Sequence, residues 1–224
     1  PPGNEQIAMP SFASNRTGQI VVTTQDLNIG YTTQESKISL LQVQDLSLER
    51  GSRTAIVGSN GVGKSSFLRT IQGLIPPLEG KASLGHNVTV GYYHQTHEDL
   101  SNDDSVLDTL MGASPELTLE QSRSYLARFL FRGEDVLDKV SSLSGGERSR
   151  LALAKLMVNQ PNVLLLDEPT THLDINSRVA LEQALQSYDG TLLFVSHDRQ
   201  LISSLSNQIL IMADGRVQLF KGTF

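Results

Sequence analysis

The feature that most constrains this chain is an apolar run at residues 54–57, "TAIV", which leads directly into the glycine-rich stretch "GSNGVGKSS" at 58–66. The apolar run predicts a short buried strand. Helical spacing from Lys64, ended by Gly73, predicts a helix immediately after the glycines. A strand joined to a helix by a tight glycine turn is typical of α/β folds, and we therefore expect an α/β domain.

The spacing within the glycine-rich stretch predicts a loop that binds the phosphates of a nucleotide. It fits the pattern Gly-x-x-x-x-Gly-Lys-Ser/Thr, in which the glycines let backbone amides and a helix N-terminus face an anion. Lys64 adds a positive charge at the β- and γ-phosphates, and the hydroxyl of Ser65 is a ligand for Mg²⁺. The predicted binding residues of this loop are Gly58, Ser59, Asn60, Gly61, Val62, Gly63, Lys64, Ser65 and Ser66.

A second half of a nucleotide site is predicted at the apolar strand "VLLLD", residues 163–167. A buried strand that ends in two carboxylates places Asp167 to hold magnesium through water and Glu168 to polarise an attacking water. Phosphoryl transfer depends mainly on positioning and electrostatics, which such groups supply. The residues therefore predict hydrolysis of a nucleoside triphosphate, with Glu168 and Lys64 as catalytic candidates.

Composition narrows the class of protein. The 224 residues are 38% hydrophobic, enough for a large core, and no apolar run reaches the length of about 18 residues that a membrane helix needs. Residues 1–18 lack the basic start and apolar core of a signal peptide, and we interpret them as a linker or tail. The absence of cysteine excludes disulfides and thiolate metal sites. The net charge of −6 argues against a nucleic-acid-binding surface. Because the chain shows neither a signal peptide nor a membrane helix, we expect a cytoplasmic protein that makes no membrane contact itself.

The first half of the chain predicts a β-rich part followed by a helical part. Residues 19–49 alternate as strands do, and "GKASLGHNVTVGYYHQ" at 80–95 predicts a hairpin that turns at Gly85, His86 and Asn87. Helical spacing between 103 and 160 predicts a helical subdomain at about 97–160.

The second half of the chain predicts a parallel sheet. Apolar strands at 162–168 and 191–197 are separated by a segment with helical spacing, which is typical of a sheet covered on both faces. A final pair of strands flanks Asp214 and Gly215, which predict a hairpin turn. One domain is therefore expected over 19–224.

The stretch "LSGGERSR" at 143–150 predicts a well-capped helix. Ser144 is a favourable N-cap, and Glu147 completes a capping box. Gly145 and Gly146 occupy the first turn, where each glycine costs roughly 1 kcal/mol relative to alanine. We interpret the two glycines as a sign of close approach to a ligand.

These three motifs together resemble those of the ABC ATPases, over nearly the whole chain from about Gln19. The resemblance implies a P-loop ABC ATPase core with an antiparallel β-subdomain and a helical subdomain, which binds ATP and Mg²⁺ and hydrolyses ATP. It implies that Tyr31 stacks on adenine and that Gln95, in "YYHQ", is the Q-loop glutamine that touches magnesium. It also implies that Asp174, in "THLD", belongs to the D-loop and that His197, in "VSHD", is the switch histidine near the γ-phosphate.

The same resemblance implies a partner. In this family the signature residues, here Ser144, Gly145, Gly146 and Glu147, close over the ATP of a facing ATPase domain. The expected partner is therefore a second ABC ATPase domain, in the same parent chain or in a homodimer.

Several stretches look like those of the ABC-F proteins, soluble tandem ATPases that act on ribosomes. They include "LSGGERSRLALAK", "DEPTTHLD", "VSHDR" and the closing "FKGTF", while "NRTGQIVV" at 15–22 looks like the second of that family's two ATPase domains. Thr171 departs from the pattern, in which Asn is usual. The resemblance implies one domain of a translation or ribosome-associated factor.

Two other functions stay open on the residues alone. One is the ATPase subunit of an ABC transporter, which membrane helices in the wider gene would indicate. The other is a nucleotide-dependent binding switch with negligible hydrolysis, against which Glu168 and His197 argue. A metal pair at His94 and His97 is rejected, because no third ligand has suitable spacing.

Overall fold

The computed structural model describes residues 17–94, 99–171 and 173–222. Contacts divide these residues into a sheet unit (17–92, 161–168 and 189–222) and a helical unit (93–94, 99–160, 169–171 and 173–188). The strands are β1 (Ile20–Thr32), β2 (Lys37–Val43), β3 (Leu46–Glu49), β4 (Arg53–Gly58), β5 (Glu79–Leu84), β6 (Val90–Tyr93), β7 (Val163–Asp167), β8 (Thr191–Val195), β9 (Gln208–Ala213) and β10 (Arg216–Lys221). The helices are α1 (Lys64–Gln72) and α6 (Arg199–Leu205) in the sheet unit, and α2 (Val106–Ala113), α3 (Leu119–Arg128), α4 (Gly145–Val158) and α5 (Ile175–Gln186) in the helical unit.

The strands form one sheet in the order β3-β1-β2-β10-β9-β4-β8-β7-β6, with β5 paired to β1. Strands β9, β4, β8 and β7 pair in parallel. Every residue of β7 and β8 is buried, as expected for parallel strands covered on both faces. The predicted parallel sheet is confirmed.

The antiparallel part of the sheet is built on the long strand β1. This strand pairs antiparallel with β3 near its start, with β2 near its end and with β5 through its middle. Its inward side chains, such as Leu27 and Ile29, join one core with Phe67 and Leu68 of α1 and Leu165 of β7. Burial of these apolar side chains is the main force that holds α1 against the sheet.

The predicted hairpin at 80–95 is wrong. Residues Gly85–Asn87 do lie in a turn, with Val88 N donating to Gly85 O at 3.4 Å, but the strands on either side do not pair with each other. Strand β5 pairs with β1, from Val22 opposite Leu84 to Asn28 opposite Glu79, whereas β6 lies beside β7. The segment is therefore a crossover between two regions of the sheet.

The last strands follow the prediction, with one addition. Strands β9 and β10 form an antiparallel hairpin whose turn residues, Asp214 (φ 50°) and Gly215 (φ 70°), both lie in the left-handed region that such turns require.

Helix α6 was not predicted from the sequence. It begins at the N-cap Asp198, whose side chain accepts hydrogen bonds from the amides of Gln200 and Leu201.

The helical unit packs α4 against both α2 and α5. Helix α2 has a capping box of Ser105 and Asp108, and α3 has one of Thr118 and Gln121. Side chains at each helix start therefore accept hydrogen bonds from backbone amides there. Across the ranges that the structure describes, no helix combines the length and the apolar character needed to cross a bilayer. The largest buried side chains of this unit include Leu110, Leu126, Phe129, Leu151, Met157, Leu181 and Tyr188.

Candidate nucleotide site

The predicted site residues of the sheet unit, apart from Tyr31, meet at one edge of the parallel sheet. The strands β4, β8 and β7 are neighbours and run in the same direction, so their carboxyl ends lie together. The glycine loop follows β4, Asp167 ends β7, and His197 comes two residues after β8. This edge of an open α/β sheet is where ligands generally bind.

The glycine loop has the backbone that its sequence requires. Gly61 (φ 80°) and Gly63 (φ 107°) both adopt left-handed conformations, which a residue with a Cβ disfavours. Gly63 is the N-cap of α1; among the described residues, no side chain caps this helix, and its first turn holds no acidic residue. The first amides of α1 are thus oriented as donors for an anion.

Lys64 is folded over this loop. Its Nζ donates hydrogen bonds to the carbonyl oxygens of Gly58 at 2.8 Å and Ser59 at 3.0 Å, and the residue is only 8% exposed. The backbone carbonyls hold the ammonium group at the mouth of the loop, where an entering phosphate would meet its charge.

Ser65 and Asp167 form the candidate magnesium ligands. The hydroxyl of Ser65 donates to Oδ1 of Asp167 at 3.1 Å, and Asp167 is only 5% exposed. A hydroxyl and a carboxylate are hard oxygen ligands of the kind that Mg²⁺ prefers. These residues therefore fit the cation that the sequence predicts.

Glu168 and His197 form a second pair beside the first. Nε2 of His197 lies 3.2 Å from Oε1 of Glu168, with the glutamate side chain 16% exposed and the histidine side chain 57% exposed. The backbone of Glu168 has a φ of 48° and its amide donates to Val195 O at 3.0 Å, so the turn after β7 is held to β8. A carboxylate at this place can accept a proton, and the more exposed imidazole can reach a ligand.

Two residues of this neighbourhood were missed from the sequence. The hydroxyl of Tyr92, on β6, donates to Oδ2 of Asp167 at 3.3 Å, and the charge of Arg69, on α1, acts on the same hydroxyl. Burial, and next the charge of Asp167, raise the pKa of Tyr92 to about 12, while Arg69 opposes the rise. A tyrosine in an apolar strand usually serves only to pack the core, so the sequence alone does not mark Tyr92 as part of the site. Only the position of β6 beside β7 does so.

The signature residues lie in the helical unit, at the start of α4. Ser144 accepts from Glu147 N at 3.3 Å, and Glu147 Oε2 accepts from Ser144 N at 2.8 Å, so the predicted capping box is confirmed. The side-chain and backbone hydrogen bonds of Ser144 hold the pKa of Glu147 below its usual value. Gly145 is the first residue of the helix.

Gly146 has a packing role inside the same unit. A Cβ at this position would lie 2.2 Å from Ser177 Oγ and 2.6 Å from Asp174 Oδ2. Asp174 is the N-cap of α5, accepting from Ser177 N at 2.9 Å and Ser177 Oγ at 2.8 Å, and these bonds hold its pKa below its usual value. Arg150 Nη1 donates to Ser177 Oγ at 2.9 Å. The signature helix and Asp174 are therefore joined in one network.

The remaining predicted residues are placed as follows. Tyr31 lies near the end of β1 opposite Ile38 and is 51% exposed, so its ring is accessible. Gln95, like His97, lies outside the described residues. The described residues contain no group of three or more metal-ligating side chains.

A buried strand, a glycine loop and a helix, with carboxylates at the end of another strand of the same parallel sheet, define a P-loop nucleotide-binding domain. The model of the ABC transporter family matches residues 41–171, more than half of the chain. The chain therefore belongs to the ABC transporter family, as an ATP-binding ABC ATPase domain.

Relatives and solved structures agree with this assignment. Over its whole length, the chain is 44% identical to "Putative ATP-binding protein YdiF" of Bacillus subtilis, of which it covers 35%. Over 93% of its length, the chain is 40% identical to "ABC transporter F family member 5" of Arabidopsis thaliana, of which it covers 30%. The chain thus spans about a third of the length of these ABC-F type relatives.

The fold is shared with solved ABC cassettes. "Dimeric Structure of MJ0796, a Bacterial ABC Transporter Cassette" matches with a TM-score of 0.77 at 23% identity, over 89% of this chain and 98% of that chain. "Dimeric structure of a post-hydrolysis state of the ATP-binding cassette MJ0796 bound to ADP and Pi" matches with a TM-score of 0.75 at 22% identity, over the same shares. The predicted P-loop ABC ATPase core is confirmed.

Proposed function

We propose that this chain binds ATP with Mg²⁺ and hydrolyses it, as one ATPase domain of an ABC-F type protein. The observation that carries the proposal is the adjacency of two pairs at one sheet edge: Ser65 with Asp167 at 3.1 Å, and Glu168 with His197 at 3.2 Å. The first pair suits a cation and the second suits proton transfer.

Binding begins at the glycine loop. The amides of the loop and of the first turn of α1 donate to phosphate oxygens, and Lys64 exchanges its bonds to the Gly58 and Ser59 carbonyls for bonds to phosphate. The accessible ring of Tyr31 stacks on adenine. Ser65, Gln95 and, through water, Asp167 would hold Mg²⁺, which would supply neutralisation of charge on the phosphate oxygens.

Hydrolysis then needs an acceptor for one proton. The oxygen of a water forms a bond to the γ-phosphorus while the bond from that phosphorus to the bridging oxygen of ADP breaks. Glu168 takes the proton of this water, and His197 holds the glutamate and contacts the γ-phosphate. The products are ADP and inorganic phosphate.

A complete site needs a second domain in this proposal. Ser144 to Glu147 of a facing ATPase domain close over the γ-phosphate, and Asp174 belongs to the same contact. Two observations support the pairing: the similar cassettes are described as dimeric, and the relatives are about three times longer than this chain. By its likeness to ABC-F proteins, we place the parent protein in the cytoplasm, on ribosomes, with this chain as its second ATPase domain and without membrane contact of its own.

Release of phosphate from Mg-ATP tests the proposal. The wild-type chain should release phosphate, and Glu168→Gln should lower the rate at least about 100-fold, since general base catalysis contributes 10²–10⁴-fold. Glu120→Gln, an exposed residue in the first turn of α3, is the matched control and should keep the wild-type rate. A Glu168→Gln rate equal to that of the control would contradict the role of Glu168. A wild type that binds ATP without releasing phosphate, at a concentration at which the chain pairs with a second copy, would indicate a binding switch.

A further inference from the structure

A buried tyrosine beside the candidate magnesium ligands has no part in the function proposed above. Tyr92 is 8% exposed, and its hydroxyl donates to Oδ2 of Asp167 at 3.3 Å. The other carboxylate oxygen, Oδ1, accepts from Ser65 Oγ at 3.1 Å. Both oxygens of Asp167 are therefore held by protein donors, from β6 on one side and α1 on the other.

The carboxylate of Asp167 determines the direction of the tyrosine hydroxyl. A carboxylate oxygen accepts hydrogen bonds and a hydroxyl donates them, so the single proton of Tyr92 points to Oδ2 of Asp167. The charge of Arg69, on α1, acts on the same hydroxyl and opposes the rise in its pKa. The three side chains belong to α1, β6 and the end of β7.

We propose that Tyr92 is a positioning residue for magnesium: its hydrogen bond holds the Asp167 carboxylate in the orientation that binds, through water, the Mg²⁺ of Mg-ATP, to which Ser65 is a direct ligand. The inference rests on the proposed function, because it needs Asp167 and Ser65 as the magnesium site. Mg²⁺ demands near-ideal octahedral geometry, whereas Ca²⁺ accepts flexible arrangements. A carboxylate that has lost one of its two restraints should therefore lose Mg²⁺ more than Ca²⁺.

The test uses Tyr92→Phe, which removes only the hydroxyl. The matched control is Tyr93→Phe at the next residue, which is also buried, at 3% exposure, and whose hydroxyl bonds Ser149. Binding of a fluorescent ATP derivative is measured in EDTA and then during titration with MgCl₂ or CaCl₂. Thermal unfolding of each variant is recorded alongside.

Tyr92→Phe should need about tenfold more Mg²⁺ for half-maximal binding, at the lower end of the 10–100-fold effect typical of residues that support a metal ligand. Its requirement for Ca²⁺ should rise by less than about threefold, because Ca²⁺ tolerates a rotated carboxylate. Binding in EDTA should match that of wild type, and Tyr93→Phe should match wild type in all three conditions. In an Asp167→Asn background, Tyr92→Phe should have no further effect on the Mg²⁺ requirement.

The opposite results are equally specific. A magnesium curve of Tyr92→Phe that coincides with that of Tyr93→Phe overturns the proposal. Equal losses for Mg²⁺ and Ca²⁺, together with a lowered unfolding midpoint, overturn it as well, since they show a role in the fold alone. If the wild type itself shows no dependence of ATP binding on Mg²⁺, the proposed magnesium site fails and the inference fails with it.

Discussion

At the scale of single residues, Lys64 shows how a loop can hold a charge ready for a ligand. Its ammonium group lies on two carbonyl oxygens of the same loop, Gly58 and Ser59, rather than on a carboxylate. Carbonyl oxygens are neutral acceptors, so phosphate oxygens compete with them favourably. Lys64 is thus anchored without being neutralised.

Lys64→Ala should abolish measurable binding of Mg-ATP, because it removes the charge that faces two phosphate groups. Isothermal titration with Mg-ATP measures the effect. Lys81→Ala, on the exposed strand β5, is the control and should bind as wild type does. Unchanged Mg-ATP affinity in Lys64→Ala would contradict the assignment of this loop to phosphate.

The sequence predicted some residues of the site and could not predict others, for a physical reason. Asp167 ends one apolar strand and His197 comes two residues after another. Parallel strands bring such positions to one edge, so local pattern was sufficient. Tyr92 contacts Asp167 across the sheet, 75 residues away in the chain, and nothing local distinguishes it from a packing tyrosine. Contacts of this kind depend on which strands become neighbours.

At the scale of elements, the error at 80–95 has the same origin. Gly85 to Asn87 signal that the chain turns, but they do not determine which strand receives the next segment. The exposed strand β5 pairs with β1, a strand of 13 residues that is long enough to pair with three other strands. Helix α6 did carry a local signal, an Asp198 N-cap followed by Leu201, Ile202 and Leu205, which are all buried.

The contact between α4 and α5 gives a stability prediction. Gly146→Ala should lower the free energy of unfolding by about 1–2 kcal/mol, since the new methyl group displaces Ser177 and Asp174 and so weakens the cap of α5. Urea denaturation measures the change.

Gly112 provides a control of opposite sign. It lies in α2 with open space around the position of a Cβ, so Gly112→Ala should raise the free energy of unfolding by about 0.5–1 kcal/mol through helix propensity. Equal effects of the two substitutions would contradict the packing role of Gly146.

At the scale of the whole molecule, we propose that the chain carries two half-sites that serve two different nucleotides. The glycine loop, Asp167, Glu168 and His197 belong to the sheet unit, whereas Ser144 to Glu147 belong to the helical unit. In our proposal two ATPase domains face each other, and each signature completes the site of the other. We therefore expect ATP bound at Lys64 to be closed in by Ser144 of a facing domain.

Light scattering in the presence of Mg-ATP tests this claim most directly. Glu168→Gln keeps the shape of the glutamate but cannot accept a proton, so ATP should persist and join two chains in a dimer. Glu168→Gln with Ser144→Arg should still bind ATP yet stay monomeric, because a bulky cation blocks the signature and leaves the glycine loop intact. A dimer of the single variant and a monomer of the double variant are the predicted result, and equal dimerisation of both, or no dimer of the single variant, would contradict the claim.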